Sequence, residues 1–147
     1  MRLVFAGTPQ VAADTLSRLI SESDHEVVAV LTRPDAPQGR SSRPVASPVA
    51  QVAIAHGIEV LRPERASDPT LAARLAQLAP QCCPVVAYGA LIPSGLLQLP
   101  EHGWVNVHYS LLPRWRGAAP VQRAILAGDE TTGVTVQEIV KELDAGP

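Results

Sequence analysis

The feature that most constrains the fold of this chain is the alternation of short aliphatic runs with segments whose apolar residues recur at helical spacing. Six runs are typical of β-strands: Leu3–Ala6, Glu26–Thr32, Ile58–Leu61, Val85–Tyr88, Trp104–His108 and Val134–Val140. Between them, helices are predicted at 11–20, 52–55, 71–80 and 121–126. Strands that alternate with helices indicate βαβ units. The sequence therefore predicts an α/β domain with a doubly wound, mostly parallel sheet and helices on both faces.

The size and composition of the chain fit this fold. A chain of 147 residues with 46% hydrophobic content can bury a sizeable core. Aromatic residues make up only 3%, so the core must be aliphatic, as in α/β proteins with buried strands. Ligands bind such sheets beyond the carboxyl ends of the strands, and His108 falls at that end of its predicted strand.

Charge and cysteine content exclude several classes. The formal net charge of −2 argues against nucleic-acid binding through bulk charge alone, so an RNA contact would need clustered arginines. Cys82 and Cys83 are adjacent, which makes a mutual disulfide strained, and we interpret them as buried apolar residues. The apolar run at the N-terminus is too short for a secretory signal, so a cytoplasmic protein is expected.

One segment departs from the α/β pattern. Residues 33–48, here called the arm, contain four prolines, one glycine and three arginines, Arg33, Arg40 and Arg43. The arm is much longer than a typical connection between a strand and a helix. It is either a solvated connection or a phosphate-contacting element, since arginines on a Pro-stiffened loop can reach a nucleic-acid backbone at reduced entropic cost.

Several common catalytic motifs are missing from the sequence. Gly7-Thr8-Pro9 follows the first predicted strand, but it is not a Gly-x-Gly-x-x-Gly turn, and Pro9 removes an amide donor. There is also no Gly-rich loop ending in Lys-Ser/Thr and no Gly-x-Ser-x-Gly elbow. The sequence therefore lacks the motifs that usually accompany nicotinamide or flavin binding, phosphoryl transfer and serine hydrolysis.

The candidate chemistry lies on the fifth predicted strand and near the C-terminus. Asn106 and His108 are two residues apart, so they share a face of the strand. An amide donor can stabilise an oxyanion, an imidazole can move protons, and a carboxylate such as Asp144 would favour the imidazolium. This set suits acyl-type transfer through a tetrahedral intermediate. The Asn-x-His pattern alone is weak evidence for a catalytic site, because a structural histidine explains it better than a catalytic one does.

Two segments of the sequence are far more specific: NVHYSLLPRWRGAAPVQRAILAGD at 106–129 and LDAG at 143–146. With Phe5–Pro9, the arm and Val86–Gly89, they resemble the formyltetrahydrofolate-dependent formyltransferases, most closely the branch that formylates methionyl-initiator tRNA. The resemblance implies a Rossmann-like fold and transfer of the formyl group of 10-formyltetrahydrofolate, without a metal, to the α-amine of the methionine. It also implies that Asn106 bonds the formyl oxygen, that His108 assists charge stabilisation and proton movement, and that Asp144 tunes His108 and relays the proton.

The resemblance also implies where the two substrates bind. The folate is expected to contact two segments, whose residues are Tyr88, Gly89, Leu91, Ile92, Ser110, Leu111, Leu112 and Pro113. The arm is expected to meet the acceptor arm of the tRNA through Arg33, Arg40 and Arg43.

Members of this family are about twice as long and add a small β-barrel domain that binds tRNA. Residues 1–147 are therefore expected to be a catalytic domain that is incomplete at its C-terminus, with the β-barrel domain absent. Asp144 would lie on a terminal segment, and termini fray unless they are held, so this chain alone is expected to be weakly active or inactive. The full-length protein is expected to be a monomer, whereas an unpaired sheet edge could drive self-association of the shorter chain.

Two other interpretations remain open. A formyltransferase acting on an amino sugar or on glycinamide ribonucleotide would use the same chemistry, but a small acceptor needs no arm. A non-catalytic remnant would retain partial RNA or folate binding and would have Asp144 displaced from His108.

Overall fold

Strands and helices alternate along the chain in the computed structural model, which describes residues 1–37, 39 and 42–147. In chain order, the elements are β1 (Arg2–Gly7), α1 (Gln10–Glu22), β2 (Glu26–Leu31), β3 (Ala36–Pro37), β4 (Pro44–Val45), α2 (Pro48–Ala55), β5 (Glu59–Leu61), α3 (Pro69–Leu78), β6 (Cys83–Val86), α4 (Ser94–Leu97), β7 (Trp104–His108), α5 (Pro120–Leu126) and β8 (Thr135–Glu138).

Within the described residues, six strands form one sheet in the order β5-β2-β1-β6-β7-β8. Neighbouring strands from β5 to β7 run parallel, whereas β8 runs antiparallel to β7. The chain first builds outward from β1 to β5 and then returns to place β6 on the other side of β1. The prediction of a doubly wound, mostly parallel sheet is confirmed, with the reversal of strand order between β1 and β6.

Hydrophobic clusters cover both faces of this sheet. Successive residues of a strand point to opposite faces, so Val4 of β1 packs in the cluster that contains Leu75 of α3. Its neighbour Phe5 packs in the second cluster, with Leu16 of α1 and Val49 of α2. The predicted helical layers on both faces are therefore confirmed. None of the helices in the described part of the chain is long and apolar enough to cross a membrane.

Some element boundaries differ from the predicted ones for local reasons. Strand β6 ends at Val86 because Ala87 has a positive φ of 47°, which leaves the extended conformation. Helix α2 begins at Pro48, earlier than predicted, because the Ser47 hydroxyl accepts a hydrogen bond from the N–H of Ala50 and caps the helix. Helix α4 was not predicted, since four residues are too few to show a helical period.

The arm turns back on itself where it is described. Strands β3 and β4 pair antiparallel, with Ala36 opposite Val45. Gln38, Arg40 and Ser41 lie outside the described residues. At the base of the arm, the buried hydroxyls of Thr32 and Ser47 lie 2.7 Å apart and hydrogen-bond each other. This bond joins the end of β2 to the start of α2, so the two ends of the arm are held together.

Candidate active site

A cavity of about 980 Å³ opens beyond the carboxyl ends of β6 and β7. Four stretches contribute its walls: Ala87–Ile92, Asn106–Tyr109, Gly117–Pro120 and Gln137–Asp144. Most of these side chains are apolar, and the polar residues Asn106, His108, Gln137 and Asp144 are among them. The cavity therefore lies at the edge of the sheet where the parallel order predicts a ligand site.

Strand β7 presents Asn106 and His108 on the same face of the sheet, as their spacing predicts. Both line the cavity. Trp104, two residues earlier on this face, is fully buried, and its indole N–H donates to the carbonyl oxygen of Leu96 at 2.8 Å, which anchors the strand. No described residue hydrogen-bonds the Asn106 carboxamide. Its N–H groups can therefore serve an oxygen atom bound in the cavity.

The imidazole of His108 lies between two oxygen acceptors. Nδ1 is 3.6 Å from Oδ2 of Asp144, and both side chains are shielded from solvent, at 7% and 11% exposure. Nε2 is 2.9 Å from the carbonyl oxygen of Trp115 and donates to it when protonated. An imidazolium protonated on both nitrogens would therefore face an acceptor on each side.

Two donors hold the carboxylate of Asp144. The backbone N–H of Gly117 donates to Oδ2 at 2.7 Å, and Nε2 of Gln137 donates to Oδ1 at 3.0 Å. The surrounding segment is also tied to β8, because the N–H of Glu138 donates to the carbonyl oxygen of Pro147 at 2.9 Å. These bonds hold Asp144 beside His108, and the expectation that its segment frays in this chain remains a prediction.

The segment after β7 turns so that the carbonyl group of Trp115 faces the imidazole. The hydroxyl of Thr135 on β8 donates to the carbonyl oxygen of Ser110 at 2.7 Å and accepts from the N–H of Leu112 at 3.1 Å. The buried hydroxyl of Ser110 in turn donates to the carbonyl oxygen of Arg114 at 2.6 Å. These three bonds fix the path of the chain up to Trp115.

The side chain of Trp115 is held on its outer side by Asp129. The indole N–H donates to Oδ2 of this carboxylate at 2.6 Å, and Nε of Arg114 donates to the same oxygen at 2.9 Å. These hydrogen bonds, chiefly that from Arg114, lower the pKa of Asp129 to about 2. The guanidinium groups of Arg114 and Arg123 lie 4.3 and 5.0 Å from the centre of the indole ring, within cation–π range.

The family of this chain is settled by comparison with known proteins. The family model described as "Formyl transferase" matches residues 1–147, which is the whole chain. The chain belongs to the formyl transferase family. An amide donor and an imidazole–carboxylate pair on one wall of a cavity are the groups that the resemblance implied for such a protein.

Curated proteins similar to this chain include methionyl-tRNA formyltransferases. The protein of Saccharopolyspora erythraea is 61% identical over all 147 residues, and that of Thermobifida fusca is 64% identical over the same span. These matches cover 48% and 47% of the two relatives. The chain thus spans about half the length of the curated relatives that it matches.

Solved formyltransferase structures share the fold. Phosphoribosylglycinamide formyltransferase from Bacillus halodurans gives a TM-score of 0.80 at 23% identity, covering 100% of this chain and 76% of that one. A formyltetrahydrofolate deformylase from Pseudomonas syringae gives a TM-score of 0.75 at 24% identity, covering 99% and 48%. At these identities the likeness shows the fold alone.

The residues predicted to bind folate fall into two groups in the structure. Tyr88, Gly89, Leu91 and Ile92 line the cavity, on the segment that follows β6. The remaining four, 110–113, follow β7 and are not among the described residues that form its walls. Burial raises the pKa of the Tyr88 phenol, against a smaller lowering by the nearby charge of Arg33. The folate contacts of both groups remain predictions.

Two of the three residues predicted to bind RNA, Arg33 and Arg43, lie in the described part of the chain. Arg33 follows β2, and its backbone N–H is 3.4 Å from the hydroxyl of Thr8, which itself donates to the carbonyl oxygen of Tyr88. The base of the arm is therefore tied to the wall of the cavity. Arg43 is exposed on the returning half of the arm, and Arg40 lies outside the described residues. Their contact with RNA remains a prediction.

Sequence reasoning missed the groups that surround the pair. Gln137 and Gly117 bond Asp144, and the carbonyl group of Trp115 bonds His108. A backbone carbonyl or N–H carries no signal in the residue type, so Trp115 and Gly117 could not be found this way. Gln137 had one available signal, because it is a polar residue in the middle of a predicted strand.

Proposed function

We propose that this chain carries the formyl-transfer site of an enzyme that moves the formyl group of 10-formyltetrahydrofolate to the α-amine of methionyl-initiator tRNA. The observation that carries the proposal is the carboxamide of Asn106, which has no hydrogen-bond partner in the described part of the chain and lines the same cavity wall as the His108–Asp144 pair. The choice of acceptor is supported by identities of 61% and 64% to curated methionyl-tRNA formyltransferases.

The cavity suits a reduced folate. Its volume is in the range of ligand pockets, and its apolar walls can cover a flat heterocyclic ring. Residues 87–92 follow β6 without entering a helix or strand, so their backbone N–H and C=O groups are not committed to a ladder. These groups would bond the polar edge of the ring, while Leu91 and Ile92 would pack against its faces.

In the proposed reaction, the amine attacks the formyl carbon, so a new C–N bond forms and negative charge develops on the formyl oxygen. Asn106 donates a hydrogen bond to that oxygen, and the charge of the His108 imidazolium stabilises it further. The amine must lose one proton, and the leaving N10 of the folate must gain one as its C–N bond breaks. Asp144 takes the proton from the amine and passes it toward N10, while the His108 imidazolium keeps its own two N–H protons and stabilises the charge.

The arm would bring the tRNA to this site. Arg33, Arg40 and Arg43 supply the cationic groups for backbone phosphates, and the Thr32–Ser47 bond holds the two ends of the arm together. Because Thr8 connects Arg33 to the backbone of Tyr88, a phosphate near Arg33 would lie close to the mouth of the cavity.

A competition assay tests the proposal. The purified chain is given 10-formyltetrahydrofolate with methionyl-initiator tRNA, glycinamide ribonucleotide or an amino sugar, and binding of the stable analogue 5-formyltetrahydrofolate is followed by tryptophan fluorescence. We expect formylation of the tRNA above the background of Asn106→Ala and His108→Ala, with His102→Ala, on the surface, as the matched control. Preference for either small amine contradicts the choice of acceptor. Failure both to bind the analogue and to transfer formyl contradicts the function.

A further inference from the structure

Gln137 is a buried polar residue in the wall of the cavity for which the reaction as described has no use. It lies on β8 directly opposite Asn106 on β7, and facing residues of an antiparallel pair project from the same side of the sheet. Only 3% of Gln137 is exposed. It therefore stands next to the proposed oxyanion donor and in contact with the proposed proton acceptor.

The carboxamide of Gln137 has one possible orientation toward Asp144. Its Nε2 donates to Oδ1 of the carboxylate at 3.0 Å. Rotating the amide by half a turn would place Oε1 against the carboxylate, and two acceptors repel each other. The present orientation leaves Oε1 buried without a hydrogen-bond partner among the described residues.

A buried acceptor without a partner is unfavourable, so it calls for an explanation. Here Oε1 of the amide has no hydrogen bond among the described residues, but Nε2 of the same amide donates a hydrogen bond to the Asp144 carboxylate. The other donor to Asp144 is the N–H of Gly117, on Oδ2. With one donor on each oxygen, the carboxylate cannot rotate without losing a bond, and Oδ2 remains 3.6 Å from Nδ1 of His108.

We propose that Gln137 is a positioning residue that acts through Asp144, by holding its carboxylate in the orientation that the proton relay needs. The inference rests on the proposed function, because the relay is part of that reaction. Gln137 itself touches neither substrate in this proposal. Its contribution should therefore appear in kcat and should require an intact Asp144.

The first test is a double-mutant cycle on formyl transfer by the chain. Gln137→Met keeps the length of the side chain and removes the donor, and it is expected to lower kcat about 10- to 100-fold, because small displacements of a reacting group have effects of this size. The KM values for folate and tRNA are expected to change by less than about 3-fold, since the lost interaction does not bind either substrate. In an Asp144→Ala background, Gln137→Met is expected to have almost no further effect.

The second test follows Asp144 without any catalysis. Hydrogen exchange of the Gly117 N–H, read by NMR, reports whether Asp144 still accepts its bond, and Gln137→Met should accelerate it about 10-fold or more. The Ile139 N–H, which donates to Trp104 across β7 and β8, and the Thr32 N–H, which donates to Leu61, should keep their rates. Gln98→Met, at an exposed position beyond α4, is the matched control for both tests.

The outcomes separate the two proposals. If Gly117 exchange is unchanged in Gln137→Met, the positioning role is wrong. If Gln137→Met lowers kcat equally with and without Asp144, or accelerates exchange across the whole β7–β8 ladder, Gln137 acts on the sheet generally and the inference fails. If the unsubstituted chain binds no folate and transfers no formyl, the proposed function fails, while Gly117 exchange still decides whether Gln137 holds Asp144.

Discussion

The carbonyl oxygen of Trp115 lies 2.9 Å from Nε2 of His108, so a backbone group seven residues further along the chain sets the orientation of the imidazole. With this nitrogen occupied, the other ring nitrogen is directed at the carboxylate of Asp144. The geometry of the proposed relay therefore depends on the path of residues 110–115 as much as on the strand that carries His108.

That path can be tested at Thr135, whose hydroxyl joins Ser110 and Leu112. Thr135→Val keeps the shape of the side chain and removes both bonds, so we expect a loss of about 1–2 kcal/mol in the free energy of unfolding. Formylation should fall several-fold as the Trp115 carbonyl shifts. Urea denaturation and the tRNA assay measure the two effects, with Thr132→Val, at an exposed position, as control. Unchanged formylation activity in Thr135→Val would show that the site does not depend on the path of residues 110–115.

Asp129 gives a prediction about acid stability. Its pKa is about 2 in the folded chain, against an ordinary value of 3.8, because Arg114 and Trp115 donate to the ionised carboxylate. A lowered pKa contributes stability that is complete above the ordinary value and is lost as the pH falls toward the folded value. The stability difference between the parent chain and Asp129→Asn should therefore be constant above about pH 5 and shrink from there to pH 2. Urea denaturation across this range measures it, and Asp24→Asn, on the surface, is the control; a pH-independent difference would contradict the assignment.

The two cysteines should be unreactive in the folded chain. Burial raises the pKa of both thiols, that of Cys83 to about 12, and the thiolate is the nucleophilic form. With a thiol reagent such as DTNB at pH 8, we expect labelling at least about 10-fold slower in the native chain than in guanidinium, where both thiols become accessible. Cys83→Ala should leave one reactive thiol after unfolding. Rapid labelling of the native chain would show that the thiols are accessible and ionised.

The sequence was sufficient for the parts of the site that depend on local periodicity. Asn106 and His108 share a face because successive residues of a strand point to opposite sides of the sheet. They lie near the ligand site because ligands bind beyond the carboxyl ends of parallel strands. Each of these inferences needs only the assignment of one strand and the general rule for parallel sheets.

The remaining parts depend on contacts between segments that are distant in sequence. Gln137 faces Asn106 only because β8 runs antiparallel to β7 in one register, and a shift of one residue would turn its side chain to the other face. Strands β3 and β4 have two residues each, too few for a period, so the hairpin of the arm could not be predicted. The register between strands that are distant in sequence and the pairing of very short strands therefore cannot be predicted from local periodicity.

The base of the arm offers a final prediction, at the buried hydroxyl pair of Thr32 and Ser47. Ser47→Ala removes the bond to Thr32 and also the cap on α2, so it should cost about 1–2 kcal/mol in the free energy of unfolding. Thr32→Val removes the shared bond and the long bond of 3.5 Å to the Thr8 hydroxyl but leaves the helix cap, so it should cost less. If the arm contacts tRNA, both variants should raise the KM for tRNA more than the KM for folate, because the two ends of the arm are no longer held together. Urea denaturation and separate titration of the two substrates measure these effects, with Ser42→Ala, exposed on the arm, as control. Equal changes in both KM values would indicate that the hydroxyl pair supports the domain as a whole and not the arm.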